Sequence, residues 1–251
     1  YVVIAMCLDD MALESELKAA LRLSDAQFEQ LVADQIKLLT CLRAVFYHHT
    51  NALGVKAGEV NDFQPVFILY LEQLLHAMSQ GGHCAAVNGV DLILPVALEN
   101  GQSLEIRGSA DVGVTFVDSD FKDSAQWACV CELKAPFNRL QMKRCHAEKD
   151  QLVGECEAVF AAKRRLAASN VVDEPLLAVL TDLFAICVLV RRGDEFRAME
   201  RRVVAPRDYV LRLMMAVTPW TQNAMARVLA RDGVLGDEIP AHVVDAAGYE
   251  R

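Results

Sequence analysis

The residues best spaced for chemistry are Asp111, which ends the run Gly108-Ser-Ala-Asp111, and Glu132-Leu-Lys134, which begins 21 residues later. In a strand over 129–134, side chains alternate between faces. Cys129, Cys131 and Leu133 take one face; Val130, Glu132 and Lys134 take the other. The carboxylate and the ammonium then stand about 6.5–7 Å apart along the strand. If the preceding strand is the hairpin partner, Asp111 sits beside Glu132. Two carboxylates converging at the end of a buried sheet repel unless a divalent cation holds them. Carboxylates, a main-chain carbonyl and waters suit Mg²⁺ or Mn²⁺. Lys134 would then position or help deprotonate a water attacking a phosphodiester, while the metal lowers that water's pKa and stabilises the pentavalent charge. The triplet carries no weight by itself: Glu16-Leu-Lys18 repeats it on what reads as a surface helix. In the bland alternative Asp111 caps a turn or pairs with Arg107, and Glu132–Lys134 is an exposed ion pair worth under ~1 kcal/mol.

The elements that must position these residues follow from periodicity. Leu13, Leu17, Ala20 and Leu21 fall at helical spacing, and Ser24-Asp-Ala-Gln27 offers a capping-box start for a helix reaching Phe46. Asn51 to Gly58 reads as a break, and Phe67 to Met78 as a further helix closed by Gly81-Gly82. Asp91–Leu98, Ser103–Val117 and Trp127–Lys134 then read as an antiparallel meander. A long helix covers about 141–169. Strands follow over Leu176–Thr181, Ile186–Arg191 and Glu195–Val204, with Arg192-Gly-Asp194 as a hairpin turn, and Pro206 opens a last helical section running to Leu229. The order α, βββ, α, βββ, α predicts an α/β or α+β sandwich. Its sections are 1–87 (helical, packed on the core), 88–205 (core) and 206–251 (helical).

Composition sets the outer limits. The chain has 251 residues, 53% of them hydrophobic and 24% charged, which excludes disorder and low-complexity architectures. The greasiest stretch, Leu176 to Val190, is too short for a membrane span and contains Asp182. The start at Tyr1, with no Met and no basic segment, reads as a chain trimmed at its beginning. Eight scattered cysteines read as reduced core thiols of an intracellular protein of nucleus or cytoplasm. The net charge of −9 is uneven. Residues 1–100 hold 5 Lys+Arg against 12 Asp+Glu, whereas residues 101–212 hold 17 of each. The basic clusters Lys143-Arg144, Lys163-Arg164-Arg165, Arg191-Arg192 and Arg201-Arg202 permit a phosphate-bearing partner.

Asp111, Glu132-x-Lys134 and the helix after them together resemble the PD-(D/E)XK nuclease superfamily, over about 88–204. The helix carries Gln151-Leu-Val-Gly-Glu155, similar to a Gln-containing motif of that superfamily, and Leu177-Ala-Val-Leu-Thr-Asp182 with 184–190 looks like the strands that finish such cores. The Leu-Thr-Asp strand and the Gln-x-x-x-Glu helix look most like Crinkler-type effector modules and their kinetoplastid relatives. Ala110 stands where the name-giving proline would be, and Glu155 where some exonucleases carry a tyrosine. The resemblance implies a restriction-endonuclease-like α/β sandwich with a central mixed sheet. It also implies a Mg²⁺- or Mn²⁺-dependent nuclease acting on DNA or RNA. Asp111 and Glu132 would be metal ligands, Lys134 would handle the water, and Gln151 and Glu155 would support the site. Glu72 is the candidate for a further metal ligand from the first helix, with His76 one turn later. No GxxxxGK[ST] or GxSxG motif is present.

Other groupings carry less. Cys129-x-Cys131 with Cys145-His146 lacks the tight knuckle that zinc sites use. His48-His49 cannot both face one ion from a helix. Two non-enzymatic roles stay open: a degenerate nuclease fold acting as a nucleic-acid-binding or protein-assembly subunit, and an interaction module meeting protein partners through its helical sections.

Overall fold

A computed structural model describes residues 3–5, 10–48, 62–78, 83–86, 91–97, 103–115, 123–134, 142–166, 176–192, 195–201, 205–218 and 220. The expected breaks at 51–58, 81–82 and 193–194 and the segment 221–229 lie outside them, as does His49.

The chain opens with a short strand β1 (Val3–Ala5) and helices α1 (Asp10–Leu21), α2 (Asp25–Tyr47) and α3 (Gln64–Ala77). Ser24 and Gln27 form the expected capping box at the start of α2, each side chain satisfying a backbone N–H of the other. Strands β2 (His83–Ala86), β3 (Asp91–Ala97), β4 (Ser103–Ser109), β5 (Val112–Thr115) and β6 (Trp127–Leu133) follow. Then come helix α4 (Met142–Leu166), strands β7 (Leu176–Thr181), β8 (Ile186–Arg192) and β9 (Glu195–Arg201), and helix α5 (Pro206–Val217). Seven strands form one mixed sheet in the order β1-β9-β8-β7-β6-β5-β2, with parallel pairs at β1–β9 and β6–β7. The protein is thus mixed α/β.

The expected meander is corrected. β3 and β4 pair with each other as a separate two-stranded sheet, and β5 joins the main sheet between β2 and β6. Polarity explains the split. Leu104, Glu105, Arg107, Gly108 and Ser109 of β4 are exposed, whereas every residue of β5 is buried. A strand wetted on both sides cannot occupy the middle of a covered sheet, so the chain changes sheets at Ala110–Asp111. The helical section 1–87 likewise contributes two strands that sequence periodicity did not reveal, β1 and β2.

Both faces of the main sheet are covered. On one, Cys129, Cys131, Leu133, Val179 and Val188 pack into a core with apolar residues of α1, α2, α3 and α5. On the other, Val130, Ala178, Leu180 and Leu189 pack with Leu92 of β3 and with Leu152, Val153, Cys156 and Val159 of α4. The alternation expected for 129–134 is observed. Arg207 ties α5 to α1 and α2 through Glu14 and Glu29, each at 2.9 Å. α1 is not a surface helix on every side: Glu16 is buried.

Gly113 in β5 lies against the buried ring of Trp127, where a Cβ would come within 2.5 Å of the indole. Gly113→Val is therefore expected to destabilise the fold by about 1–3 kcal/mol through overpacking, seen as a lower urea midpoint.

Candidate active site

The antiparallel pairing of β5 with β6 ends at Val112↔Cys131. One step further along that register, Asp111 faces Glu132. The Asp111 carboxylate is fixed there, because its Oδ2 accepts the Leu133 N–H at 2.7 Å. The Gln64 side-chain amide, buried at the start of α3, donates to the Asp111 carbonyl. Sequence reading missed Gln64. The available signal was an amide in front of Pro65, opening a helix that is otherwise apolar on its packed face.

Glu132 points away from Leu133, into the face covered by α4, and its side chain is only 3% exposed. Lys134 Nζ donates to Glu132 Oε1, and the lysine side chain is 18% exposed. The bland expectation of an exposed pair is thus set aside, since this pair is largely desolvated. On α4, Gln151 donates from Nε2 to Glu155 Oε1 at 2.9 Å, one helical turn apart. Glu155 is buried, and its Oε2 has no hydrogen-bond partner among the described residues.

The electrostatics tie these groups together. Burial is the main reason the Glu155 carboxyl is pushed up to about 8. The Glu132 charge adds to the rise, the Gln151 amide opposes it, and Asp111 contributes further. A hydrogen bond between the Glu155 and Glu132 carboxyls adds as well, and it exists only when one of the two carries a proton. With both ionised, Glu155 Oε2 lacks a donor, so a proton is retained to supply one. The Cys131 thiol, beneath the same strand, is raised by its contact with Cys129 and by burial, with smaller contributions from Asp111 and Glu155.

The ends of β6 and β7 are locked to one another. The Lys134 N–H donates to the Thr181 carbonyl at 2.9 Å. Thr181 Oγ1 donates to the Ala185 carbonyl, which leaves the Tyr209 hydroxyl as donor in their 2.7 Å bond. Asp182 Oδ1 accepts the N–H groups of Phe184 and Ala185, closing a turn in which Leu183 has a φ of 72°. Burial raises the Asp182 pKa against those hydrogen bonds. Arg43 of α2 donates from Nε to the Leu183 carbonyl at 2.8 Å, and its guanidinium lies over the rings of Phe184 and Tyr209 at 5.3 and 5.2 Å. The segment 177–182 therefore acts as a brace beside Lys134.

Asp111, Glu132, Lys134, Gln151 and Glu155 thus gather around one face of the β5–β6 end. Glu72 does not join them. It is exposed on α3, and eight residues of helix place it about 12 Å beyond Gln64, the α3 residue that does reach Asp111. The residue one turn on, His76, is exposed too. The face of α3 that meets the sheet is apolar, which is why a carboxylate at position 72 turns to water. Cys129 and Cys131 are buried free thiols on the packing face, and the side chains of Cys145 and His146 lie outside the described set. The same holds for the basic clusters except Lys163, which is half-buried.

Carboxylate oxygens of Asp111 and Glu132 are the kind of hard donor a divalent cation takes, and the Glu155 Oε2 atom becomes a further acceptor only once its proton leaves. Among the described residues, however, no group of three or more His, Cys, Asp or Glu side chains is arranged as a ready coordination site. Glu132 is capped by Lys134, and one Asp111 oxygen is held by Leu133. No helix among the described residues is long and apolar enough to cross a membrane. No protein-family model matches the chain, and no curated protein is a significant match.

Proposed function

We propose that the chain is a restriction-endonuclease-like domain that hydrolyses phosphodiester bonds in DNA or RNA with Mg²⁺ or Mn²⁺. The observation that carries this is the meeting of Asp111, Glu132 and Glu155, from three different elements, beside the amine of Lys134. The brace at Thr181–Asp182 and the helix placed after Lys134 support it. Asp111 and Glu132 would hold the cation. When bound, the ion lowers the pKa of a water and offsets charge developing on the phosphoryl oxygens. Lys134 exchanges its bond to Glu132 for one to the attacking water and orients it. The Leu133 N–H aims the Asp111 carboxylate, and Gln151 holds the Glu155 carboxyl, which retains its proton at neutral pH. An intracellular place of action, nucleus or cytoplasm, belongs to the same proposal. The buried free thiols Cys129, Cys131, Cys156 and Cys187 suit a reducing compartment.

A non-catalytic role on nucleic acid or in protein assembly is favoured by one observation: Lys134 already occupies Glu132 as a counter-ion. Calorimetric titration with Mn²⁺ separates the two. The wild-type chain is expected to bind Mn²⁺ and cleave labelled DNA or RNA in its presence, and Glu132→Gln to do neither. Absence of Mn²⁺ binding to the wild type would leave the non-catalytic role.

A further inference from the structure

We infer that Gln64 is the positioning residue for Asp111: its buried amide holds the main chain there and so keeps the carboxylate turned toward Glu132. This rests on the nuclease reading of the site, in which Asp111 is a metal ligand. The β3–β4 ladder ends at Ser109, opposite Asp91. Both ladders of β5 among the described residues end at Val112, opposite Ala86 on one side and Cys131 on the other. Ala110 and Asp111 therefore cross between the two sheets outside the ladders that fix the backbone of their neighbours. A carboxylate on such a crossing needs its direction set by other groups, and two donors do this. The Leu133 N–H holds Oδ2 at 2.7 Å, and the Gln64 amide donates to the Asp111 carbonyl. The first bond fixes one oxygen; the second fixes the backbone from which the side chain springs.

The sense of that second bond sets it apart from helix capping. The open groups at a helix start are N–H donors, so a side chain serving the helix presents an acceptor; Gln64 spends its donor outward, on Asp111. The residue is 3% exposed on a packed face otherwise formed by Phe67, Tyr70, Leu71 and Leu74, where an amide is costly unless bonded. Its mount is rigid. Pro65 fixes φ in the first turn of α3. Phe63, directly before Gln64, meets the ring of Phe46 edge-on at 5.6 Å and lies 5.9 Å from that of Phe67. A group that aims another must itself be locked by its surroundings, and this one is. α3 shares its core with Val112 and Val114, whereas Glu132 turns to the face covered by α4. Gln64 thus grips the backbone from behind and leaves the carboxylate to the acidic cluster.

The test uses the full chain carrying Gln64→Met, which keeps the length of the side chain and removes the donor. It is expected to bind Mn²⁺ about tenfold or more weakly by calorimetry, the range for groups that orient a metal ligand. With a labelled DNA or RNA at saturating Mn²⁺, kcat is expected to fall by about tenfold and KM to stay within about twofold, because the amide aims a ligand and does not hold substrate. A tie that is only structural lowers the urea midpoint and leaves Mn²⁺ affinity and kcat at their wild-type values. That result in the folded variant overturns the positioning role while the nuclease reading stands. Gln64→Glu sets an acceptor against the carbonyl at the same length; it replaces Gln64→Met if the latter does not unfold cooperatively, with the same expected direction. A wild type that binds no Mn²⁺ and cuts neither DNA nor RNA overturns the nuclease reading instead. Gln64 is then judged without metal, from the urea midpoint shift of Gln64→Met made alone and made on Asp111→Ala. A smaller shift on the Asp111→Ala background keeps the positioning role, and equal shifts remove it as well.

Discussion

Asp111→Asn is expected to lower metal-stimulated cleavage at least about 10²-fold while leaving the fold intact. The asparagine keeps an oxygen able to accept the Leu133 N–H, now bonded at 2.7 Å, and removes only the charge. Asp111→Ala is a poorer choice, because it would strand that N–H where solvent is scarce, at a cost of about 1–3 kcal/mol. Lys134→Met is expected to reduce kcat by about 10²–10⁴-fold, the range for a positioned proton-transfer group. It also removes the partner of a carboxylate that is 3% exposed. Deleting one side of a fully buried pair costs roughly 3–5 kcal/mol, and less here because the lysine reaches solvent and Glu132 can share a proton with Glu155. Urea denaturation must accompany the rates for this variant. Cleavage at the wild-type level by folded Asp111→Asn or folded Lys134→Met would remove the assigned mechanism.

Glu155→Gln is expected to be more stable than the wild type at pH 8 and to lose a pH dependence that the wild type shows. The carboxyl lies near 8 in the folded chain against an ordinary 4.5. Between those limits the folded state keeps a proton that the unfolded state has released. The contribution of Glu155 to stability is therefore greatest in acid and declines as pH rises, by up to about 1.4 kcal/mol per pH unit, levelling off above 8. Glutamine is neutral throughout and removes that slope. Urea unfolding of both proteins at pH 5.5 and pH 8 checks it. An equal stability difference at the two values would mean that Glu155 is not the protonated member of the cluster.

The strands and helices that hold a regular apolar period were legible in the sequence. The two faces of 129–134, the capping box at Ser24 and the one-turn partnership of Gln151 with Glu155 all follow from residue spacing. Three features were not legible, each for a physical reason. β1 and β2 span only three and four residues, too few for alternation to show. The break at Ala110–Asp111 depends on which sheet each half can bury itself in, a tertiary choice that local pattern does not encode. Glu72 was plausible as a carboxylate on the right helix, but the rotation of α3 is set by its apolar stripe, and that stripe brings Gln64 to Asp111 instead.

The grip of Arg43 on the turn after β7 has a consequence for how this protein can change over evolutionary time. The arginine comes from α2, one of the rings beneath it comes from α5, and the turn it holds abuts the backbone of Lys134. The outlying helices are thus not accessories that a lineage could shed or swap while the central strands carry on. A recombination boundary drawn at either end of the strand-rich middle would separate the lysine from its scaffolding, so the flanking helices and the acidic cluster must be inherited together.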